Sequence, residues 1–533
     1  MAIKDIFAEG INSGQWSVIN AATLEEDLTL EADIAIVGTG AGGGTAAEIL
    51  AKAGLKVIMI EHGPLKSSND FNMAEGEAYS SLYQESAARM NKSGSITLLQ
   101  GRTVGGSTTI NWTSSFRTPE QTLNYWTDYF DVKDISAETM HPWFTLMEQR
   151  LNIAHWQAIP NHNNDILRKG CEKLGYSWKA IPRNVRGCWN LGYCGTGCPT
   201  NAKQGMLVTT IPTALDNKAR LVFFCQAQRF LFHKDSVKAL ECLAMDKHAA
   251  FPNGKKVFIQ AKHYVAAGGA INTPALLLRS DILDPYNLVG KRTFIHPVVA
   301  SMAQFPHKIA AYSGAPQSIY SDQFQWRQGT TDPMGYKLEA LPLHPALTGT
   351  LFGSRGRVLT ERMEQYPNTN CLLALLRDGF HPESQGGRVF IRKDGSGLLD
   401  YELSEYAWAG AKQALLTQAE IQFAAGARKV MPLHQDAGFV SSMKGAREQL
   451  NTLKMTPFLT RVGSAHLMGG CPMSENPKTG VVNSLGEHHH IDNLSIMDGS
   501  VFPTSIGANP QLSVYGLVAK FASYLGKKLK TAA

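Results

Sequence analysis

The most constraining feature of the chain is an apolar run, ADIAIVGTG at 32–40, that ends in glycines. It is followed by a helix former, TAAEILAKAG (45–54), and by a second apolar run, KVIMIEHG (56–63). Strand, glycine turn, helix, strand is the opening of a doubly wound nucleotide-binding sheet. Gly38, Gly40 and Gly43 satisfy G-x-G-x-x-G, and Glu61 closes the second strand. Gly38 allows the tight turn, Gly40 lets backbone approach a pyrophosphate resting on the helix N-terminus, and Gly43 permits close packing of helix on sheet. Glu61 is placed to accept the hydroxyls of an adenosine ribose. The alternative, an ordinary glycine turn, does not account for the strand before and the helix after.

The fingerprint does not separate FAD from NAD. A second glycine-rich stretch, GRTVGGSTTIN at 101–111, favours the flavin. Gly101, Gly105, Gly106 and Ser107 suit backbone N–H groups wrapping a phosphate and a flavin edge, although a hairpin between two strands also fits. With 533 residues, and roughly 100–200 residues per domain, the chain has room for two to four domains or an interleaved pair. Its net charge of +6 is spread along the chain and gives no sign of nucleic-acid binding. The first twenty residues lack the apolar core of a signal peptide, and no uninterrupted apolar run is long enough to span a membrane. The expected compartment is therefore the cytoplasm, with export alongside a signal-bearing partner left open.

Nucleotide-domain texture recurs in separated blocks. Residues 1–30 read as a polar extension with a short helix at 23–28, and 120–170 read as mainly helical. HYVAAGGAINTPALLLRS (263–280) reads as strand, turn and helix. Between 300 and 450 lie strand candidates at 388–393 and 401–406 and a helix at 411–427. A strand at 494–498 and a long helix near 510–527 close the chain. The expected fold is α/β, a doubly wound Rossmann-like domain with an interleaved α+β substrate domain. The first takes residues 31–125, 200–300 and 455–533; the second takes 126–199 and 301–454.

These blocks, in this order, resemble the glucose–methanol–choline flavoprotein oxidoreductases. The resemblance runs from about residue 32 to 528. It rests on the fingerprint, on 101–111, on GAINTPALLLRS (269–280) and on DGSVFPTSIGANPQ (498–511). It implies FAD with its adenine half on Gly38–Gly43 and Glu61, and its ring near Gly106, Ser107, Asn111, Asp498 and Pro510. Some members attach flavin through a histidine just before the asparagine of the 101–111 block. Here that position is Ile110, so noncovalent FAD is expected.

Oxidising an alcohol requires removing the hydroxyl proton while carbon delivers hydride to flavin N5, and histidine suits the proton transfer. His466, in SAHLMGGCPM, resembles the family's active-site histidine, and Asn509 occupies the second catalytic position, where it would orient the substrate oxygen. Glu339 is a candidate substrate-facing carboxylate, though isolated glutamates are usually solvated. His296 resembles a structural turn histidine, and His488, His489 and His490 read as a solvated loop.

Cys188, Cys194 and Cys198 lie close together among glycines, and Cys198 precedes a proline. Three soft ligands without a histidine are a poor zinc set but suit a [3Fe–4S] centre. Buried small residues or a redox pair are the alternatives. Within the resembled family, polyol dehydrogenases that feed a cytochrome subunit carry such a pattern with a [3Fe–4S] cluster. Long-chain fatty alcohol oxidases have a similar stretch followed by residues like Lys203-Gln204. The resemblance therefore implies FAD-dependent alcohol oxidation with electrons passed to a non-NAD acceptor, a cytochrome or small electron-transfer subunit, and peripheral membrane association through such a partner. Direct use of oxygen by a long-chain alcohol oxidase is the alternative, and an inactive flavin-binding subunit is disfavoured by the presence of both His466 and Asn509.

Overall fold

The structure is a computed structural model that describes residues 3–327, 329–330 and 333–531. The apolar runs of the fingerprint are the strands Leu28–Val37 and Val57–Ile60, and Ile34, Ala35 and Ile36 are fully buried. Near-continuous apolar strands of this kind belong in a parallel sheet covered on both faces. Among the described residues, the sheet they join has eight strands. In spatial order these include Ser17–Asn20, Arg220–Phe223, Val57–Ile60, Leu28–Val37 and Pro252–Ala266, all parallel. Ser236–Met245 and Cys225–His233 continue the order by antiparallel pairing, and Leu494–Ile496 pairs with the C-terminal end of Pro252–Ala266. Helix Ala41–Lys52 packs between the helices Thr210–Asp216 and Gln511–Thr531.

A second eight-stranded sheet, among the described residues, draws on distant parts of the chain. Its order runs Ile96–Leu98, Val462–Ser464, Val298–Gln304, Thr369–Leu376, Tyr336–Ala340, Ile319–Ser321 and Lys179–Ala180, with Lys429–Pro432 paired to Val298–Gln304. Helices His162–Leu174 and Glu405–Ala424 cover one face. The other face looks toward the first sheet across a large cavity. This arrangement is the expected α/β type, a doubly wound sheet with an interleaved second unit.

Local departures have local reasons. Residues 23–28 do not form a helix: a short 3₁₀ turn, Ala21–Thr23, capped by Asn20, leads into Leu28, which pairs with Val257. Sheet pairing outweighs a weak helical preference over so few residues. The N-terminal stretch supplies the helix Ile6–Asn12, capped by Asp5, and the edge strand Ser17–Asn20. Residues 401–406 are not a strand, because Ser404 accepts from Ala407 N–H and caps a helix beginning at Glu405.

Candidate active site

Three glycine-rich segments meet at the edge of the first sheet. Gly38 has φ +97°, and a Cβ there would stand 2.4 Å from the Ala267 carbonyl oxygen. Gly106, with φ +53°, lies so close to the fingerprint turn that its Cβ would fall 2.7 Å from Gly40 Cα. A side chain at either position would collide with neighbouring backbone, so only glycine lets these turns approach so closely. Gly43 faces the Gly38 carbonyl and Gly42 faces the Met497 carbonyl, at separations that leave no room for a Cβ. Gly101 packs against Gly106, its N–H donating to Ser107 Oγ at 2.9 Å, and Gly105 N–H donates to Thr39 Oγ1 at 3.0 Å. The two glycine stretches are thus bonded into one cradle.

Glu61 is buried at the end of its strand. Its Oε2 accepts the Thr39 hydroxyl at 2.6 Å, and its Oε1 accepts Gly63 N–H at 3.0 Å. Burial raises its pKa against the pull of these bonds. Asp498 joins the C-terminal block to the 269–280 block: Oδ2 accepts from Gly269 N–H (2.7 Å) and Thr273 (2.6 Å), and Oδ1 accepts from Ser500 N–H (2.8 Å). Asn111 donates to Gln511 Oε1 at 2.6 Å, which ties the first flavin block to the final helix beside Pro510.

All of these segments line one continuous cavity of about 1590 Å³, which also reaches His466 and Asn509. The end of the cavity beside Glu61 holds His62, whose buried Nε2 has no hydrogen-bond partner among the described residues. A backbone cradle closed to side chains and an orphaned buried polar atom fit a bound dinucleotide. Ile110, at the position expected to exclude a covalent linkage, is buried and lines the cavity wall.

His466 follows the strand Val462–Ser464, and its backbone N–H donates to Ser464 Oγ at 3.0 Å. Its residual exposure is to the cavity. Burial, and after it the Lys337 ammonium, pushes its pKa down to about 3. His296 is buried behind it. Gly507 N–H donates to His296 Nε2 at 3.0 Å, so neutral His296 carries its proton on Nδ1, 3.4 Å from His466 Nδ1. His466 thus accepts at Nδ1 and holds its own proton on Nε2, which bonds to no other described residue.

Asn509 Oδ1 accepts from Lys337 Nζ at 2.9 Å, and its Nδ2 donates to Glu339 Oε2 at 3.2 Å. Glu339 is therefore buried against Asn509 and Lys337, and it is not among the cavity-lining residues. Sequence reasoning missed Lys337. The available signal was two charges, two residues apart, inside the otherwise apolar strand Tyr336–Ala340.

The cysteine loop departs from the iron–sulfur expectation. Among the described residues no group of three or more His, Cys, Asp or Glu side chains is placed to hold a metal ion. Each thiol has its own local partner: Asn190 N–H for Cys188 (3.4 Å), Arg183 for Cys194 (3.7 Å), and Lys203 N–H for Cys198 (3.5 Å). Partial burial raises Cys188; Cys198 is partly buried too, yet bonds from Thr200 and Lys203 bring it below the usual thiol range. The centre of the loop is instead Lys203. Its Nζ donates to the carbonyls of Thr109, Asn111 and Cys194 at 2.8, 2.7 and 2.6 Å, fastening the loop to the cradle.

Models of the GMC oxidoreductase family match residues 79–298 and 382–517. The chain belongs to the GMC oxidoreductase family. It is similar to the long-chain-alcohol oxidase FAO1 of Arabidopsis thaliana, with 30% identity over 94% of this chain and 68% of that protein. The Arabidopsis relative FAO3 is 27% identical over 96% and 70%. An uncharacterized GMC-type oxidoreductase of Sinorhizobium fredii is 26% identical over 94% and 95%. Among solved structures, a formate oxidase from Aspergillus oryzae RIB40 superposes with a TM-score of 0.70 at 15% identity, covering 96% of this chain and 100% of that one. Pyridoxine 4-oxidase gives 0.69 at 16%, covering 92% and 98%. This oxidoreductase is therefore a FAD-dependent flavoenzyme of the alcohol-oxidising type. Among its described residues no helix is long and apolar enough to cross a membrane.

Proposed function

We propose that this oxidoreductase converts a long-chain primary alcohol to the aldehyde, with dioxygen as electron acceptor. The observation that carries the reading is the wall of the cavity beyond His466. Val298 and Ala300 lie directly opposite Leu375 and Leu373 on the neighbouring strand, and all four line the cavity with Leu433 and Leu351. Residues two apart on a strand share a face, so the second sheet presents an apolar strip suited to an alkyl chain. The names of the Arabidopsis relatives point to the same substrate class.

Within this reading, Gly38, Gly40, Gly43, Gly101, Gly105, Gly106 and Ser107 hold FAD noncovalently, with Glu61 at the ribose. Asn111, Asp498 and Pro510 frame the ring. FAD, when bound, supplies the two-electron acceptor. Asn509 Nδ2 donates to the substrate oxygen, and His466 takes the hydroxyl proton. To accept at Nε2, His466 must first carry its own proton on Nδ1. Substrate entry therefore has to break the contact with His296, which at 3.4 Å lies beyond the usual hydrogen-bond range. Cofactor binding is assigned to residues 31–125, 200–300 and 455–533, and the substrate wall to 126–199 and 301–454, joined by Val298 and Ala300 from the strand Val298–Gln304 that crosses the boundary between them.

The test is anaerobic flavin bleaching across a series of primary alcohols, followed by aerobic turnover. Each added methylene should tighten binding about fourfold until the strip is filled, from ~0.8 kcal/mol per buried methylene. In air, one aldehyde and one hydrogen peroxide should form per alcohol and dioxygen consumed. Sugars or short alcohols reducing the flavin as well as dodecanol would overturn the substrate class. Aldehyde formed only with an added dye, without peroxide, would overturn the acceptor.

A further inference from the structure

From the buried ion pair behind Asn509, we infer that Lys337 is a positioning residue for the reaction: together with Glu339 it fixes which way the Asn509 amide faces and strengthens its Nδ2–H as the donor to substrate oxygen. The inference rests on the proposed His466–Asn509 site and goes beyond it.

The geometry begins with the strand. Lys337 and Glu339 are two residues apart on Tyr336–Ala340 and so lie on one face. Both are almost wholly buried, with side-chain exposures of 4% and 0%. Glu339 Oε1 stands 3.1 Å from Nζ, an ion pair by distance but off the line of a hydrogen bond. The Lys337 ammonium also sits 3.0 Å from the centre of the Phe116 ring and 4.5 Å from that of Tyr320. A buried pair of charges is costly to assemble, and removing one partner alone costs more than replacing both by apolar groups.

Here that geometry removes a degeneracy. An asparagine amide has two nearly isosteric ends, one accepting and one donating. An ammonium can only donate and a carboxylate can only accept. With Lys337 at one end and Glu339 at the other, Asn509 has one orientation that satisfies both. One Nδ2 hydrogen goes to Glu339, which leaves the other for the substrate oxygen. The ammonium at Oδ1 draws density from the amide and makes that hydrogen a stronger donor as negative charge grows on the oxygen.

The pair also sets the electrostatics of the base. The groups facing Lys337 are Glu339 on its own strand, Asp322 and Tyr320 from the neighbouring segment, Asn509, and His466 and His296 across the site. Burial lowers the Lys337 pKa to about 8, so the group remains mainly protonated at neutral pH. After burial, its charge is the second influence that opposes protonation of His466.

The test is Lys337→Met combined with Glu339→Leu, which removes both charges without leaving one unpaired. It is read by anaerobic stopped-flow reduction of bound flavin by dodecanol. Loss of amide orientation should slow reduction roughly ten- to a hundredfold, and the acid limb of the pH profile should move to higher pH. The same double change in an Asn509→Ala background should have little further effect, because the pair acts through Asn509. Equal losses in both backgrounds, with an unmoved acid limb, would make the pair merely structural. If the double variant does not retain FAD, Lys337→Gln decides: it keeps a donor and loses the charge. It should slow maximal reduction, though less than the double variant, and move the acid limb to higher pH, and a parental rate with an unshifted limb overturns the inference. His466→Ala run alongside separates the failures: parental reduction there removes the proposed site, whereas its loss beside an unchanged Lys337 series removes only this inference.

Discussion

Replacing His466 with alanine examines the proposed base and its environment in one experiment. An imidazole whose pKa lies at about 3 is unprotonated by roughly 10⁴ to 1 at pH 7, and still by about 100 to 1 at pH 5. The parent rate of flavin reduction should therefore stay flat from pH 7, where Lys337 is still mainly protonated, down to pH 5. A solvent-exposed histidine, half protonated near 6.5, would by contrast have lost about thirtyfold at pH 5. The difference is a statement about burial in the cavity first and about the Lys337 ammonium second. His466→Ala should lower the rate by ~10²–10⁴ at every pH, the usual range for removal of a general base. FAD should stay bound, because His466 makes its polar contacts with Ser464 and His296 and with none of the cradle glycines. The assay is anaerobic stopped-flow absorbance, with FAD per chain measured on the same preparation. Full FAD with parental reduction in the variant would refute the role. A parent profile falling with a midpoint near 6.5 would refute the burial argument even if the variant were dead.

The cradle yields its own prediction: Gly42→Ala places a Cβ 1.7 Å from the Met497 carbonyl oxygen, so soluble variant should carry little FAD, and parental occupancy would count against the packing. With Ile110 at the linking position, acid or urea should release all flavin into the supernatant, and colour left in the precipitate would reveal a linkage. His62, His466 and His488 have pKa values near about 3 and His263 near about 4, all lowered by burial. The unfolded chain protonates these groups below about 6.5, so their stabilisation is full above that pH and declines as pH falls toward 4. Thermal denaturation should show Tm falling across that window, and a constant Tm would contradict it. Iron and sulfide analysis of anaerobically purified protein should find less than one cluster per chain, since the three thiols are not drawn to one point; stoichiometric iron and sulfide would reinstate a cluster.

The parts of this fold that could be read from sequence are those where one local rule decides the outcome. Residues 32–63 combine a buried strand with glycines that only a close backbone approach requires, and the structure uses them that way at Gly38 and Gly43. The cysteine spacing raised the expectation of a cluster, which the placement of the thiols does not support. Lys203, an unremarkable residue in the same stretch, holds three carbonyls and organises the loop around itself. Glu339 was visible as an isolated acid, but its meaning depends on Lys337 and on Asn509. Asn509 arrives from far along the chain and meets the strand Tyr336–Ala340 only through the packing of the second sheet against the C-terminal block. A sequence specifies periodicity along one element well. Which two elements bring opposite charges to the two ends of one amide is a property of tertiary packing. The residues that orient the chemistry were therefore harder to see than those expected to perform it.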